Sequence, residues 1–176
     1  MTFRKFLKAR PTEEGTEHIF EGIREDSPRA AAMLAGALMD ELLKGAISYR
    51  LVELNKEDSD GLFTGNAPLA TFSAKIRVSY ALGIIGKRTR HDIELVREIR
   101  NGFAHTLRDL SFETPELTKM CSQFHCLKDL REYAEISARG LFSISVHRLA
   151  LFLITKTGPF PEGRAGLNLQ GNTQLD

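Results

Sequence analysis

Apolar residues recur along this chain at spacings of three and four, and no stretch alternates with period two over more than a few residues. The pattern predicts helices and no sheet. A first helix is expected from Thr12 to about Glu25. Ser27-Pro28 pairs a capping hydroxyl with proline at the first helical position. It opens RAAAMLAGALMDELLKGAISYRLVEL, a long segment rich in alanine and leucine with high helix propensity. NKEDSDGLFTGNAP, residues 55–68, reads as a polar loop. LATFSAKIRVSYALGII reads as the next helix, ended by Gly86. Thr89 is placed as the cap of RHDIELVREIRNGFAH, with Asp92 three residues on completing an approximate capping box. Thr114-Pro115-Glu116 starts a short helix to about Phe124, and Asp129 opens a last one to about Lys156. The fold class expected is all-α: a compact bundle of five to six helices over residues 1–156, with a flexible tail over 157–176.

One helix carries polar residues that its pattern does not require. With a step of about 100° per residue, Ile93, Val96, Ile99 and Phe103 form an apolar stripe. Glu94, Glu98, Asn101 and His105 line the opposite face. Arg100 falls on the border of the apolar stripe, where a guanidinium is costly without a partner or a path to water. Glu41 lies within the apolar face of Met33, Leu34, Ala37 and Leu38, and one reading is a partly buried Arg100–Glu41 ion pair.

Composition narrows the function classes. The 176 residues are 42% hydrophobic, enough for a sizeable core. The balance of 24 basic and 23 acidic residues, net +1, argues against gripping duplex DNA by phosphate neutralisation. Lys75, Arg77, Lys87, Arg88 and Arg90 cluster in neighbouring segments and form either a local basic rim or an ordinary solvated face. Asn66, in a loop with Gly65 and Pro68 ahead of a helix, sits where backbone N–H groups can hold an anion or simply turn the chain. Two cysteines and an N-terminus, MTFRKFLKAR, without an apolar leader core point to a reducing cytoplasm. The stretch LFSISVHRLALFLI is short for a span and carries His147 and Arg148, so no membrane association is expected. His147, on that apolar helix, reads as a core histidine. Cys121, His125 and Cys126 lack the spacing of a zinc finger or ribbon. Asp40, Glu41, Glu94 and Glu98 lack the Glu-x-x-His spacing of helical-bundle metal sites. No metal or cofactor is assigned.

Three segments carry a family resemblance: AAMLAGALMDELLKGAI, LFTGNAPLATFSAKIRVSYALGII and HDIELVREIRNGFAHTL. Together they resemble the mannitol repressor family of bacterial regulators, closely over residues 27–110 and loosely beyond. The resemblance implies an all-α regulator of a sugar-alcohol operon. With no helix-turn-helix pattern visible, a protein partner and a dimer are expected rather than direct duplex DNA binding. A second resemblance lies in RNGFAH, which is similar to the Arg-x4-His motif of HEPN-domain ribonucleases. That alternative implies a metal-independent endoribonuclease acting on RNA at a dimer interface. Arg100 would stabilise phosphate charge, His105 would move a proton, and Asn101 would orient substrate or the imidazole.

Overall fold

The computed structural model describes residues 13–107, 109–128 and 136–157. Among them lie seven α-helices and one 3-10 turn, with no strand. The chain begins with α1, Glu13–Glu25, and turns through Ser27 into α2, Pro28–Arg50. The Ser27 hydroxyl accepts from the N–H of Ala30, as expected of the Ser-Pro start.

The region read as a loop contains α3, Lys56–Phe63. Asn55 caps it, its Oδ1 accepting from Asp58 N at 2.9 Å, and Glu57 and Asp58 place acid in the first turn. Two turns of mainly polar sequence, with Phe63 the sole buried residue, leave no periodicity to read. Gly65 reverses the chain after it at a left-handed φ of +64°.

Thr71 caps α4, Phe72–Ala81, by accepting from Ala74 N. This helix stops short of Gly86 because Gly83 takes φ +67°. The N–H of Gly83 reaches the carbonyl of Tyr80, and that of Ile84 reaches Ser79, which is a Schellman termination. The next helix, α5, Lys87–His105, therefore starts two residues before Thr89, with Gly86 at its cap. Thr89 lies inside it, and the expected capping box does not form. Asp92 is buried and bonded elsewhere.

The short helix α6 covers Pro115–Cys121, and a 3-10 turn follows at His125–Leu127. The last helix, α7, spans Ala138–Thr157. The proposed start at Asp129 and the tail beyond Thr157 lie outside the described residues. Arg139 ties the start of α7 to α1 by donating to the carbonyls of Ile23 (3.3 Å) and Asp26.

The alanine-rich helix occupies the middle. α2 packs against α1, α4, α5 and α7, and α6 and the 3-10 turn close over α5 and α7. Small residues on α2, Ala31, Ala32, Ala35, Gly36 and Ala46, are buried and let neighbours approach. The closest approach is at Gly36, where a Cβ would stand 2.8 Å from Cγ of Arg100. On the far side Phe103, Phe112, Phe142 and Phe124 form a continuous aromatic series, with centroids 5.5, 5.1 and 6.4 Å apart. By length and composition α7 is also apolar enough to cross a membrane. Phe142, Val146, Leu149, Ala150 and Leu153 of this helix are buried in the core, while Leu151 and Ile154 are exposed.

Candidate functional site

The three residues of the Arg-x4-His motif do not converge within one chain. α5 runs unbroken through His105, so Arg100 and His105 point about 140° apart around its axis. The Arg100 stem lies across Gly36 of α2 and is half-buried, while His105 is exposed and Asn101 is half-buried. Just beyond, Arg29 donates to the carbonyl of Thr106 at 3.0 Å and fastens this end of α5 to the start of α2.

The interhelical ion pair exists, between other residues. Lys75, 3% exposed, places Nζ 2.8 and 2.9 Å from the two oxygens of Asp40 and 3.3 Å from the carbonyl of Ala70. Asp40 is one residue before Glu41, so a rotation of about 100° on α2 separates the acid that faces α4 from the one that does not. Glu41 is exposed and meets Lys44 on its own helix, at 3.5 Å. Arg100 makes no ion pair among the described residues.

This changes the basic rim. Lys75 is spent in the core, whereas Arg77, Lys87 and Arg88 remain exposed. Arg90 lies over the Tyr80 ring at 4.9 Å. Tyr80 and Leu82 are large exposed residues at the same corner, where α4 turns into α5. Exposed apolar side chains and cations thus share the segments on either side of this turn. Asn66 stands exposed just after Gly65, five residues ahead of the Thr71 cap.

A second cluster was not expected from sequence. Asp92, 1% exposed, accepts the N–H of His125 on Oδ1 (2.8 Å) and the N–H of Cys126 on Oδ2 (2.9 Å). One carboxylate thus caps the 3-10 turn from inside α5. Arg148 of α7 donates to the carbonyl of Cys126 at 2.6 Å. Burial pushes the Cys126 thiol up to about 11 and that of Cys121 up to about 12, so neither is a nucleophile near neutrality. His91 Nδ1 and His125 Nδ1 both stand beside Asp92 Oδ1. His91 and His125 are 34 residues apart in sequence, and no local spacing announces the cluster.

With the geometry described, the comparisons with known proteins become informative. The mannitol repressor family model matches residues 51–140, just over half of the chain. The chain belongs to the mannitol repressor family. The matched region contains α3 to α6, the Tyr80–Leu82 corner and the Asp92 cluster. Mannitol operon repressors of Escherichia coli K12 and of the O6:H1 strain CFT073 are each 25% identical over 97 residues. These alignments cover 51% of this chain and span about half the length of the relatives. Among solved structures, the fold is similar to that in the MtlR–HPr complex from Escherichia coli, with a TM-score of 0.66 at 18% identity. That match covers 78% of this chain and 96% of the other. A possible transcriptional regulator, YggD from Shigella flexneri 2a, is similar at a TM-score of 0.58 and 15% identity, over 80% and 93% of the two chains.

Proposed function

We propose that this mannitol repressor family member is a cytoplasmic transcriptional regulator that works through contact with another protein. Its membership of the family over residues 51–140 carries the reading. The near-neutral charge supports contact with protein rather than direct engagement of duplex DNA. The structural relative solved together with HPr is itself in a protein complex, and a partner of that kind is the first to test here. The α4–α5 corner offers the contact: Tyr80 and Leu82 as apolar anchors, with Arg90 over the Tyr80 ring and the exposed Arg77 and Lys87 of the same segments as cations suited to acidic residues on the partner. Self-association as a dimer belongs to the same reading, and light scattering at micromolar concentration tests it.

Titration calorimetry of the purified chain against HPr from the same bacterium, with a gel-shift assay on operator fragments in parallel, tests the proposal. Binding to HPr, weakened about tenfold or more by Tyr80→Ala with Leu82→Ala, is the expected outcome. An operator shift by the chain alone at physiological salt, with no protein bound, would overturn it.

A further inference from the structure

We infer that His91, Asp92 and His125 form a binding site for a divalent transition-metal ion of the zinc type. Their ligand atoms make an almost equilateral triangle. His91 Nδ1 is 3.2 Å from Asp92 Oδ1, His125 Nδ1 is 3.1 Å from the same oxygen, and the two Nδ1 atoms are 3.1 Å apart.

Hydrogen bonds alone do not account for this triangle. The three edges need three hydrogens, a carboxylate has none, and each Nδ1 carries at most one. At most two edges are therefore hydrogen bonds, whatever the tautomers. A cation instead accepts a lone pair from all three atoms at once. An ion about 1 Å above the plane of the triangle lies about 2 Å from each, which is the bond length zinc makes to imidazole nitrogen and carboxylate oxygen. The angles at the ion are then about 100°, near tetrahedral. The imidazole rings meet edge to face, with centroids 4.5 Å apart.

The surroundings are those of a ligand set held in place. Asp92 is fixed by the two backbone N–H groups it accepts, one on each oxygen. His125 is fixed by the turn those bonds cap, and that turn is tied to α7 through Arg148. Two imidazole nitrogens and one carboxylate oxygen select zinc and its late first-row neighbours over magnesium or calcium. Asp92 and His125 also line a cleft with Arg88, Arg148 and Phe152. The two guanidinium groups oppose a cation, and Asp92 supplies the one negative charge among the three ligands. The bound ion cross-links α5 to the 3-10 turn, a link between residues 91 and 125 that the backbone alone does not make.

The chelator-stripped full-length chain, titrated with Zn2+ by calorimetry and followed by thermal melting, tests the inference. One equivalent bound, with a rise in Tm, is expected, and Mg2+ at the same concentration gives neither. His91→Ala is the clean variant, because that side chain is 44% exposed and caps nothing. It weakens Zn2+ binding about tenfold or more with its circular dichroism unchanged, and His125→Ala does the same. The Co2+ form shows visible bands of nitrogen and oxygen coordination with no thiolate charge-transfer band, and Cys126→Ser leaves it unaltered. No binding of Zn2+ overturns the site, as does binding that survives both histidine substitutions or is lost in Cys126→Ser.

Discussion

At the scale of single residues, buried chemistry outweighs intrinsic preference. Gly36 sits inside a helix, where alanine would ordinarily be favoured by about 1 kcal/mol. Here the Cβ would press on Cγ, Cβ and Nε of Arg100 at 2.8, 3.2 and 3.2 Å, the rooted part of that side chain rather than its free end. Gly36→Ala is expected to lose about 1–2 kcal/mol of stability in urea melts. In an Arg100→Ala background the same substitution becomes nearly neutral. An equal loss in both backgrounds would show that the crowding lies elsewhere. Lys75 makes a second case. Lys75→Ala strands Asp40 beside α4, but Asp40 is 33% exposed, so water recovers part of the loss. A cost of about 2 kcal/mol is expected, below the range for a fully buried pair. Lys75→Met with Asp40→Leu should return most of it.

At the scale of elements, short helices stand on their caps and a single anchor. α3 has Phe63 buried at one end and the Asn55 side chain at the other. Asn55→Ala is expected to cost about 1 kcal/mol and to raise amide exchange within residues 56–63 selectively. Uniform exchange across the chain would mean that α3 is not a separate cooperative unit. The 3-10 turn is more heavily held, because Asp92 supplies both of its acceptors from another element. Thr89 and Asp92 resemble a capping box in sequence. The Schellman turn at Gly83 moves the helix start upstream of Thr89, and Asp92 is then free to face the turn.

At the scale of the whole molecule, α2 touches four other helices, so the core is shared rather than divided. Phe142 lies at the junction of the aromatic series, in contact with Phe112 and Phe124. Phe142→Ala is expected to lose about 3–5 kcal/mol and to lower one cooperative transition rather than split it. Two resolved transitions would contradict a shared core. The cysteines set an alkaline limit on the same core. Their thiols ionise at about 11 and 12 in the fold, above the ordinary value of 9.0, so the folded state holds protons that the unfolded chain releases first. Their contribution is intact below pH 9 and is lost as pH rises through 11 and 12. Thermal melts from pH 7 upward should show Tm falling once pH passes about 9, with a smaller fall in Cys121→Ala after allowance for its cavity.

The sequence by itself determined the helical class, the central alanine-rich helix, the start signals at Ser27-Pro28 and Thr114-Pro115, and the family. Each is written in residues that are neighbours along the chain: a cap beside its helix, a stripe at three and four, an unusual string of residues in one segment. The sequence also suggested an Arg100–Glu41 ion pair, which does not form: Glu41 is exposed, and the interhelical pair is Lys75–Asp40. Only the tertiary structure decided which residues meet. One helical step moves a side chain by about 100°, so whether Asp40 or Glu41 faces α4 depends on how α2 is rotated in the bundle. That rotation follows from the packing of every neighbour at once. The meeting of His91 and Asp92 with His125 has the same origin. Residues 34 positions apart are brought together by a turn whose course is set by the helices it crosses, and no local pattern encodes that distance.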